Sequence, residues 1–263
     1  MAGYIMEYLW LCLSAVAAGA VNAVAGGGTL LTFPTLTAVL GVNAISIANG
    51  TSTVALFPGS FASIWGYRQQ MHACKRWLVW LTPPSILGGA LGALLVEEDS
   101  FRLIIPWLIL LAAVLFLLQP TIARWFKRPQ TSVADAPGPP SFPSGKTLAV
   151  IVAAQFFIGV YGGYFGAGIG ILMLSSLSFL GLKDIHEINA LKSFLAFWMN
   201  IVAAGLFAAR GMVVWEYAVP MAVAAIVGGY LGARLALLVR PVFVRWIVIG
   251  IGFGLAAYYF TRS

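Results

Sequence analysis

The chain has 263 residues, of which 61% are hydrophobic and only 9% are charged, and its formal net charge is +7. Soluble domains carry about 25% charged residues, so this composition excludes an ordinary soluble domain. The basic residues stand in short loops between apolar runs, where the positive-inside bias places them. We therefore expect the lipid bilayer, and no nucleic acid, as the surroundings of this chain.

Ten apolar segments follow one another along the chain. In the first half they lie at about 5–25, 29–40, 45–67, 77–96 and 101–119, and in the second half at about 147–165, 169–180, 185–209, 214–238 and 242–260. A run of about 20 apolar residues is long enough to cross a bilayer core as a helix. The first run has no Lys or Arg ahead of it, which favours a retained helix over a signal peptide. The sequence predicts an all-α polytopic membrane protein.

The two halves are copies of one ancestral unit. A displacement of 140 positions aligns them without a gap, with Gly26 on Gly166, Asn49 on Asn189 and Gly88 on Gly228. We predict a first transmembrane repeat at 1–119, a second at 147–263, and between them a semi-extended linker at 120–146. The linker contains six prolines and is expected on the cytoplasmic side.

Five segments in each half make the two repeats inverted, which is a common plan of transporters. If all segments cross the membrane, the N-terminus lies outside, and the basic loop at 68–76 lies inside with the linker. The short segments 29–40 and 169–180 can alternatively re-enter the membrane from one side. The charge pattern allows both readings, and the sequence predicts eight to ten transmembrane helices.

Each short segment directly follows a glycine-rich stretch, Gly26-Gly27-Gly28 in the first half and Gly166-Ala167-Gly168 in the second. Backbone exposed at such a break must line a cavity or be buried in protein. A helix that begins there directs its free N–H groups towards the cavity and favours an anion. The alternative is that these glycines serve helix packing or a tight turn.

The third segment of each half carries polar residues. Asn49 and Ser52 share a helix face, as do their repeat partners Asn189 and Lys192. Lys192 has no acidic residue one turn away, and an unpaired lysine inside a membrane helix indicates an anion site. The alternative is that its side chain extends to the cytoplasmic interface. The predicted substrate-binding residues are Asn22, Gly26, Gly27, Gly28, Thr29, Asn49, Thr51, Ser52, Gly166, Gly168, Asn189 and Lys192.

Other patterns in the sequence indicate structure or exclude chemistry. The Gly88-x-x-x-Gly92 and Gly228-x-x-x-Gly232 motifs indicate close helix contact, within one chain or between the chains of a homodimer. No nucleophile with a base, no pair of acids and no set of metal ligands is apparent, so we predict neither an enzyme nor a cofactor.

Several motifs, in this order and duplicated, resemble the signature of the sulfite exporter TauE/SafE family. They are Gly26-Gly-Gly-Thr-Leu-Leu-Thr-Phe-Pro34, Leu40-Gly41-Val42 and Ala48-Asn49-Gly50-Thr51-Ser52, then Gly166-Ala-Gly-Ile-Gly170, Leu180-Gly181-Leu182-Lys183 and Asn189-Ala-Leu-Lys192-Ser193. The resemblance implies a secondary transporter that exports sulfite, sulfoacetate or related organosulfonates across the cell inner membrane. An anion channel, or an importer of a related small anion, is the alternative.

Overall fold

A computed structural model describes residues 2–41, 44–126, 145–180, 182, 184–236 and 242–261. Over these residues the chain forms ten α-helices: α1 Ala2–Val24, α2 Thr29–Leu40, α3 Ile45–Gly66, α4 Lys75–Leu94, α5 Glu98–Phe126, α6 Gly145–Tyr164, α7 Ile169–Leu177, α8 Ile185–Ala209, α9 Trp215–Ala236 and α10 Val242–Phe260. Short 3-10 turns, Gln70–Cys74 and Ser178–Leu180, precede α4 and follow α7. The all-α class and the ten segments are confirmed.

Within the described part of the chain, six helices are long and apolar enough to cross a membrane; they lie in α1, α4 with its preceding turn, α5, α6, α8 and α9. The helices α2 and α7 are too short to do so alone, as predicted. The protein is a multi-pass membrane protein.

The predicted linker needs one correction. Residues 120–126 continue α5, which runs through Pro106 and Pro120 to Phe126. Membrane helices tolerate proline because neighbouring groups satisfy the freed backbone carbonyls. Residues 127–144, which make up most of the predicted linker, lie outside the described residues.

The repeats pack across one another. Helix α1 packs on α9, and its repeat partner α6 packs on α4, the partner of α9. Both contacts use the predicted glycine pairs: Gly228 lies against the backbone of Val16, and Gly88 against the backbone of Phe156. These glycine faces are therefore occupied within one chain and do not support a homodimer through the same faces.

Two hydrogen bonds to α3 show that the repeats are inverted. The hydroxyl of Tyr67, just after α3, donates to the carbonyl oxygen of Ala23 (3.4 Å), which places the end of α1 beside the end of α3. The side-chain amide of Asn49, near the start of α3, donates to the carbonyl oxygen of Tyr164 (3.0 Å), the last residue of α6. Helices α1 and α6 thus end at opposite ends of α3 and run in opposite directions.

Helix α2 folds back along its neighbours. The hydroxyls of Ser14 in α1 and Thr35 in α2 lie 3.0 Å apart, and those of Thr32 in α2 and Ser52 in α3 lie 2.6 Å apart. Gly28 lies against Ala18 and Thr35 against Ser14, so α2 is antiparallel to α1. Thr32 and Ser52 lie about equally far from the short connection to α3, so α2 is antiparallel to α3 as well. At 12 residues it rises only ~18 Å.

The charges of the described residues differ between the two ends of the helix bundle. At the basic end, where α3 and α9 end and α4 and α8 begin, the chain carries Arg68, Lys75, Arg76 and Arg234 with the acids Asp184 and Glu187. At the acidic end, where α4 and α8 end and α5 and α9 begin, it carries Glu97, Glu98, Asp99 and Glu216, with Arg102 and Arg210. By the positive-inside rule, this difference favours a cytoplasmic position for the basic end.

Candidate functional site

The two breaks in the helices touch each other at the centre of the fold. Gly26 (φ +68°) and Gly166 (φ +82°) have left-handed backbone conformations that favour glycine. The amide of Gly170, at the start of α7, donates to the carbonyl oxygen of Gly26 (3.2 Å). A Cβ on either Gly26 or Gly170 would collide with the other's backbone. Glycine is therefore required here for the two repeats to meet backbone to backbone.

A small cavity of about 30 Å³ lies beside this contact. Its lining comes from both breaks and from α3 and α8, and comprises Asn22, Gly26, Thr29, Thr53, Leu56, Ser60, Ser63, Gly162, Phe165, Gly166, Ile169, Gly170, Met173, Lys192, Ser193, Ala196 and Asn200. On this measure each water molecule needs roughly 10–15 Å³. The cavity in this conformation has room for about two water molecules.

Equivalent positions of the two repeats line the cavity. Thr53, Leu56 and Ser60 on α3 line the cavity together with their repeat partners Ser193, Ala196 and Asn200 on α8. The cavity therefore lies across the pseudo-two-fold axis that relates the repeats. None of the four polar residues among them, Thr53, Ser60, Ser193 and Asn200, was a predicted site residue, although their spacing of three, four and seven places them on one helix face. Comparing that face between the repeats would have found them.

Lys192 is the charged residue of the lining. It is only 1% exposed, and its ammonium group donates to the carbonyl oxygens of Asn22 (3.2 Å) and Ala23 (3.1 Å). Among the described residues no carboxylate forms an ion pair with it. The side chain therefore does not extend to the membrane interface. Its ammonium group contacts the C-terminal end of α1, and the first residues of α2 and α7, Thr29 and Ile169, line the same cavity.

The side chain of Asn22 binds the backbone amides at the start of α2, which were predicted to bind an anion. Its Oδ1 accepts from the amides of Gly27 (2.9 Å) and Gly28 (2.8 Å). The predicted free N–H groups at the start of α2 are thus already bound in this conformation. The repeat partner of Asn22 is Gly162, so the second break has no equivalent side chain.

Five of the predicted site residues line the cavity: Asn22, Gly26, Thr29, Gly166 and Lys192. Three predicted glycines do not, and each is packed elsewhere. A Cβ on Gly27 would strike the ring of Phe116, one on Gly28 would strike the backbone of Ala18, and one on Gly168 would lie 3.5 Å from Ala112. The alternative interpretation, helix packing or a tight turn, describes these positions. Gly27 and Gly28 are packed too closely for a side chain, whereas Gly168 has room for a Cβ but a left-handed backbone (φ +76°).

The other four predicted residues are buried outside the cavity lining. Asn49 donates to the end of α6, as described above, and Ser52 is hydrogen-bonded to Thr32. The hydroxyl of Thr51 accepts from the amide of Val214, just before α9 (3.0 Å). Asn189 is 5% exposed, and its Oδ1 has no donor among the described residues.

The chemistry of the cavity suits an anion. An ammonium group has three N–H donors, and the two carbonyl oxygens leave one of Lys192 for a ligand. Ser193 is 3% exposed, and its hydroxyl has no partner within the described part of the chain. The described lining contains no Asp or Glu that would neutralise the lysine. No cluster of His, Cys, Asp or Glu suited to a metal ion occurs among the described residues.

Inverted repeats that meet at broken helices around a buried polar cavity are typical of one class of protein, the membrane transporters. Comparison with known families gives the particular family: the Sulfite exporter TauE/SafE family matches residues 11–259. The chain belongs to this family, and the resemblance in the motifs is confirmed.

Similar proteins carry the names of transporters. A probable membrane transporter protein of Haemophilus influenzae is 27% identical over 90% of this chain and 88% of its own length. The probable membrane transporter protein ORF9 of a Sinorhizobium species is 25% identical over 94% and 90%. The probable membrane transporter protein YfcA of Escherichia coli is 28% identical over 88% and 82%. No solved structure matches significantly.

Proposed function

We propose that this transporter exports sulfur-containing oxyanions, such as sulfite, sulfoacetate or related organosulfonates, from the cytoplasm across the inner membrane. The family's description supports the substrate class. The sulfonate or sulfite group binds in the cavity between the two breaks, and the repeats expose the cavity alternately to the two sides.

One observation carries the proposal: Lys192 lines a buried cavity and has no carboxylate partner among the described residues. A cation buried in a membrane helix costs several kcal/mol unless it is paired or hydrated. The carbonyl oxygens at the end of α1 bear only partial negative charges. An entering oxyanion supplies the full charge, and it can accept from Lys192 and from the hydroxyls of Ser193 and Thr29.

The size of the cavity supports alternating access. Space for about two waters does not admit an organosulfonate, so binding requires the walls to separate. These walls belong to different repeats, which are joined at the breaks by a backbone hydrogen bond between Gly170 and Gly26. Rocking of one repeat against the other would widen the cavity towards one side at a time.

Export can proceed without a coupled ion. Moving one negative charge out of a cell whose interior is 100 mV negative releases about 2.3 kcal/mol. An exported monovalent anion therefore moves down the electrical gradient.

The first test is a thermal-shift series on the purified protein in detergent. Sulfite, sulfoacetate, taurine, thiosulfate, sulfate and chloride would be compared at matched ionic strength. A ligand at a hundred times its dissociation constant stabilises the folded state by about 2.7 kcal/mol. We expect sulfite or a sulfonate to raise the melting temperature of the wild type and to have no effect on the Lys192→Gln variant.

The matched control is Arg102→Gln, which removes a cation from the acidic end of the bundle and should leave the shift intact. Efflux from liposomes then measures transport, which Lys192→Gln should abolish. An equal shift and equal efflux in Lys192→Gln would remove Lys192 from the site. Single-channel currents would show that the protein is a channel and does not work by alternating access. If none of the sulfur anions raised the melting temperature, the substrate class would be contradicted.

A further inference from the structure

Among the described arginines at the basic end, Arg68, Arg76 and Arg234 lie over aromatic rings. The guanidinium carbon of Arg68 is 5.3 Å from the ring centre of Trp65, and that of Arg234 is 5.6 Å from the ring centre of Tyr230. Among the described residues neither guanidinium has a carboxylate partner, and the buried Nε of Arg234 has no hydrogen-bond acceptor. Both side chains therefore have N–H donors without an acceptor among the described protein groups.

The arginines at the acidic end are different. Arg210 donates from Nη1 to the carbonyl oxygen of Ala93 (2.9 Å) and from Nη2 to that of Val96 (2.6 Å). Arg102 lies 3.7 Å from the carboxylate of Glu98. At that end the protein itself supplies the acceptors, so the unused donors at the basic end are not a general property of arginines on this surface.

The two stacked pairs are neighbours on the bundle. Gly66 at the end of α3 packs directly on Ala233 near the end of α9, so Trp65 with Arg68 and Tyr230 with Arg234 stand at the same end of two helices in contact. Trp65 is 59% exposed on the outer surface of α3. Trp and Tyr are enriched at this level of membrane helices, where the lipid headgroups begin.

A guanidinium that stacks on a ring keeps its in-plane N–H groups available, and their fork matches the oxygens of a phosphate. The cytoplasmic leaflet carries anionic lipids that attract basic groups next to the membrane. We propose that Arg68 and Arg234 bind the phosphate of an anionic phospholipid, with an acyl chain of that lipid lying along Trp65. Two unneutralised guanidinium groups favour a headgroup without a cation of its own. This site is separate from the transport cavity and does not depend on the transported substrate.

The test uses the purified full chain after removal of co-purified lipid. Phosphatidylglycerol or phosphatidylcholine is added, and the melting temperature is followed for the wild type, the Arg68→Gln/Arg234→Gln double variant and the Arg102→Gln control. We expect phosphatidylglycerol to raise the melting temperature more than phosphatidylcholine does. The double variant should lose at least half of that difference, and Arg102→Gln should keep it. A double variant that keeps the whole difference would overturn the proposal.

Two further measurements do not need the variants. Inorganic phosphate at the concentration of the lipid phosphate should not reproduce the shift of the wild type; if it does, the site binds a free anion and not a lipid. Native mass spectrometry of the wild type in an equimolar mixture of the two lipids should show phosphatidylglycerol retained in excess. Equal retention would contradict the proposal even if the double variant did not fold.

Discussion

The ammonium group of Lys192, in the second repeat, donates to the carbonyl oxygen of Ala23, at the end of the first helix of the first repeat (3.1 Å). The hydroxyl of Tyr67 donates to the same oxygen (3.4 Å). The end of α1 is thus held from two sides, by α8 and by the residue that follows α3. A substrate anion that attracts Lys192 would compete with these carbonyl oxygens, which links occupation of the cavity to the position of α1.

Tyr67→Phe removes one of these two donors. The repeat partner of Tyr67 is Phe207, which is also fully buried, so a ring without a hydroxyl is compatible with this position in the fold. The loss of one hydrogen bond should lower the free energy of unfolding by about 0.5–1.5 kcal/mol. Thermal unfolding in detergent measures it. Tyr8→Phe is the control, since the hydroxyl of Tyr8 forms no hydrogen bond among the described residues, and an equal loss there would contradict the assignment.

The side chain of Asn22 provides a second prediction, because its Oδ1 serves two backbone amides at the start of α2. Asn22→Ala leaves both amides without an acceptor and should cost about 1–3 kcal/mol of stability. Asn22→Asp keeps the acceptor, and its negative charge at a helix N-terminus is favourable. We therefore expect Asn22→Asp to fold.

The two variants separate structure from binding. In Asn22→Asp a carboxylate stands in the lining of the cavity that also contains Lys192, so anions should bind more weakly than to the wild type. Thermal shifts with sulfite and sulfoacetate measure this. An aspartate variant that folds and binds these anions as tightly as the wild type would show that the anion does not approach this part of the cavity.

Hydropathy and duplication predicted the helices, because both depend on local sequence. Periodic apolar runs and a gap-free repeat are visible without any knowledge of packing. The contacts at the site depend on residues far apart in the chain: Lys192 binds carbonyl groups about 170 positions away, and the hydroxyl of Thr51 meets the amide of Val214. No pattern within one helix distinguishes a polar group that faces a cavity from one that binds another helix.

Thr51 and Thr53 make this distinction testable on one helix. The hydroxyl of Thr51 is the acceptor for the amide of Val214, whereas that of Thr53 donates to the carbonyl oxygen of Asn49 one turn earlier in the same helix. Thr51→Val leaves the partly buried amide of Val214 without a partner and should cost about 1–3 kcal/mol. Thr53→Val removes a bond within one helix, and we expect a smaller loss. Melting temperatures in detergent compare the two, and equal losses would contradict the role of Thr51 in fixing the start of α9.

Because the two breaks are in backbone contact, we expect that adding one methyl group at Gly170 strongly lowers the stability of the protein. A Cβ on Gly170 would lie 2.7 Å from the carbonyl carbon of Ala25 and would also strike Gly26, so Gly170→Ala forces the repeats apart. Overpacking of this kind costs typically 1–3 kcal/mol. Gly205→Ala in α8 is the matched control, because nothing lies within 4 Å of the added group. Alanine is the better helix former by about 0.5–1 kcal/mol, so this variant should be stabilised. A Gly170→Ala variant that melts at or above the temperature of the wild type would show that the repeats do not meet at Gly26 and Gly170.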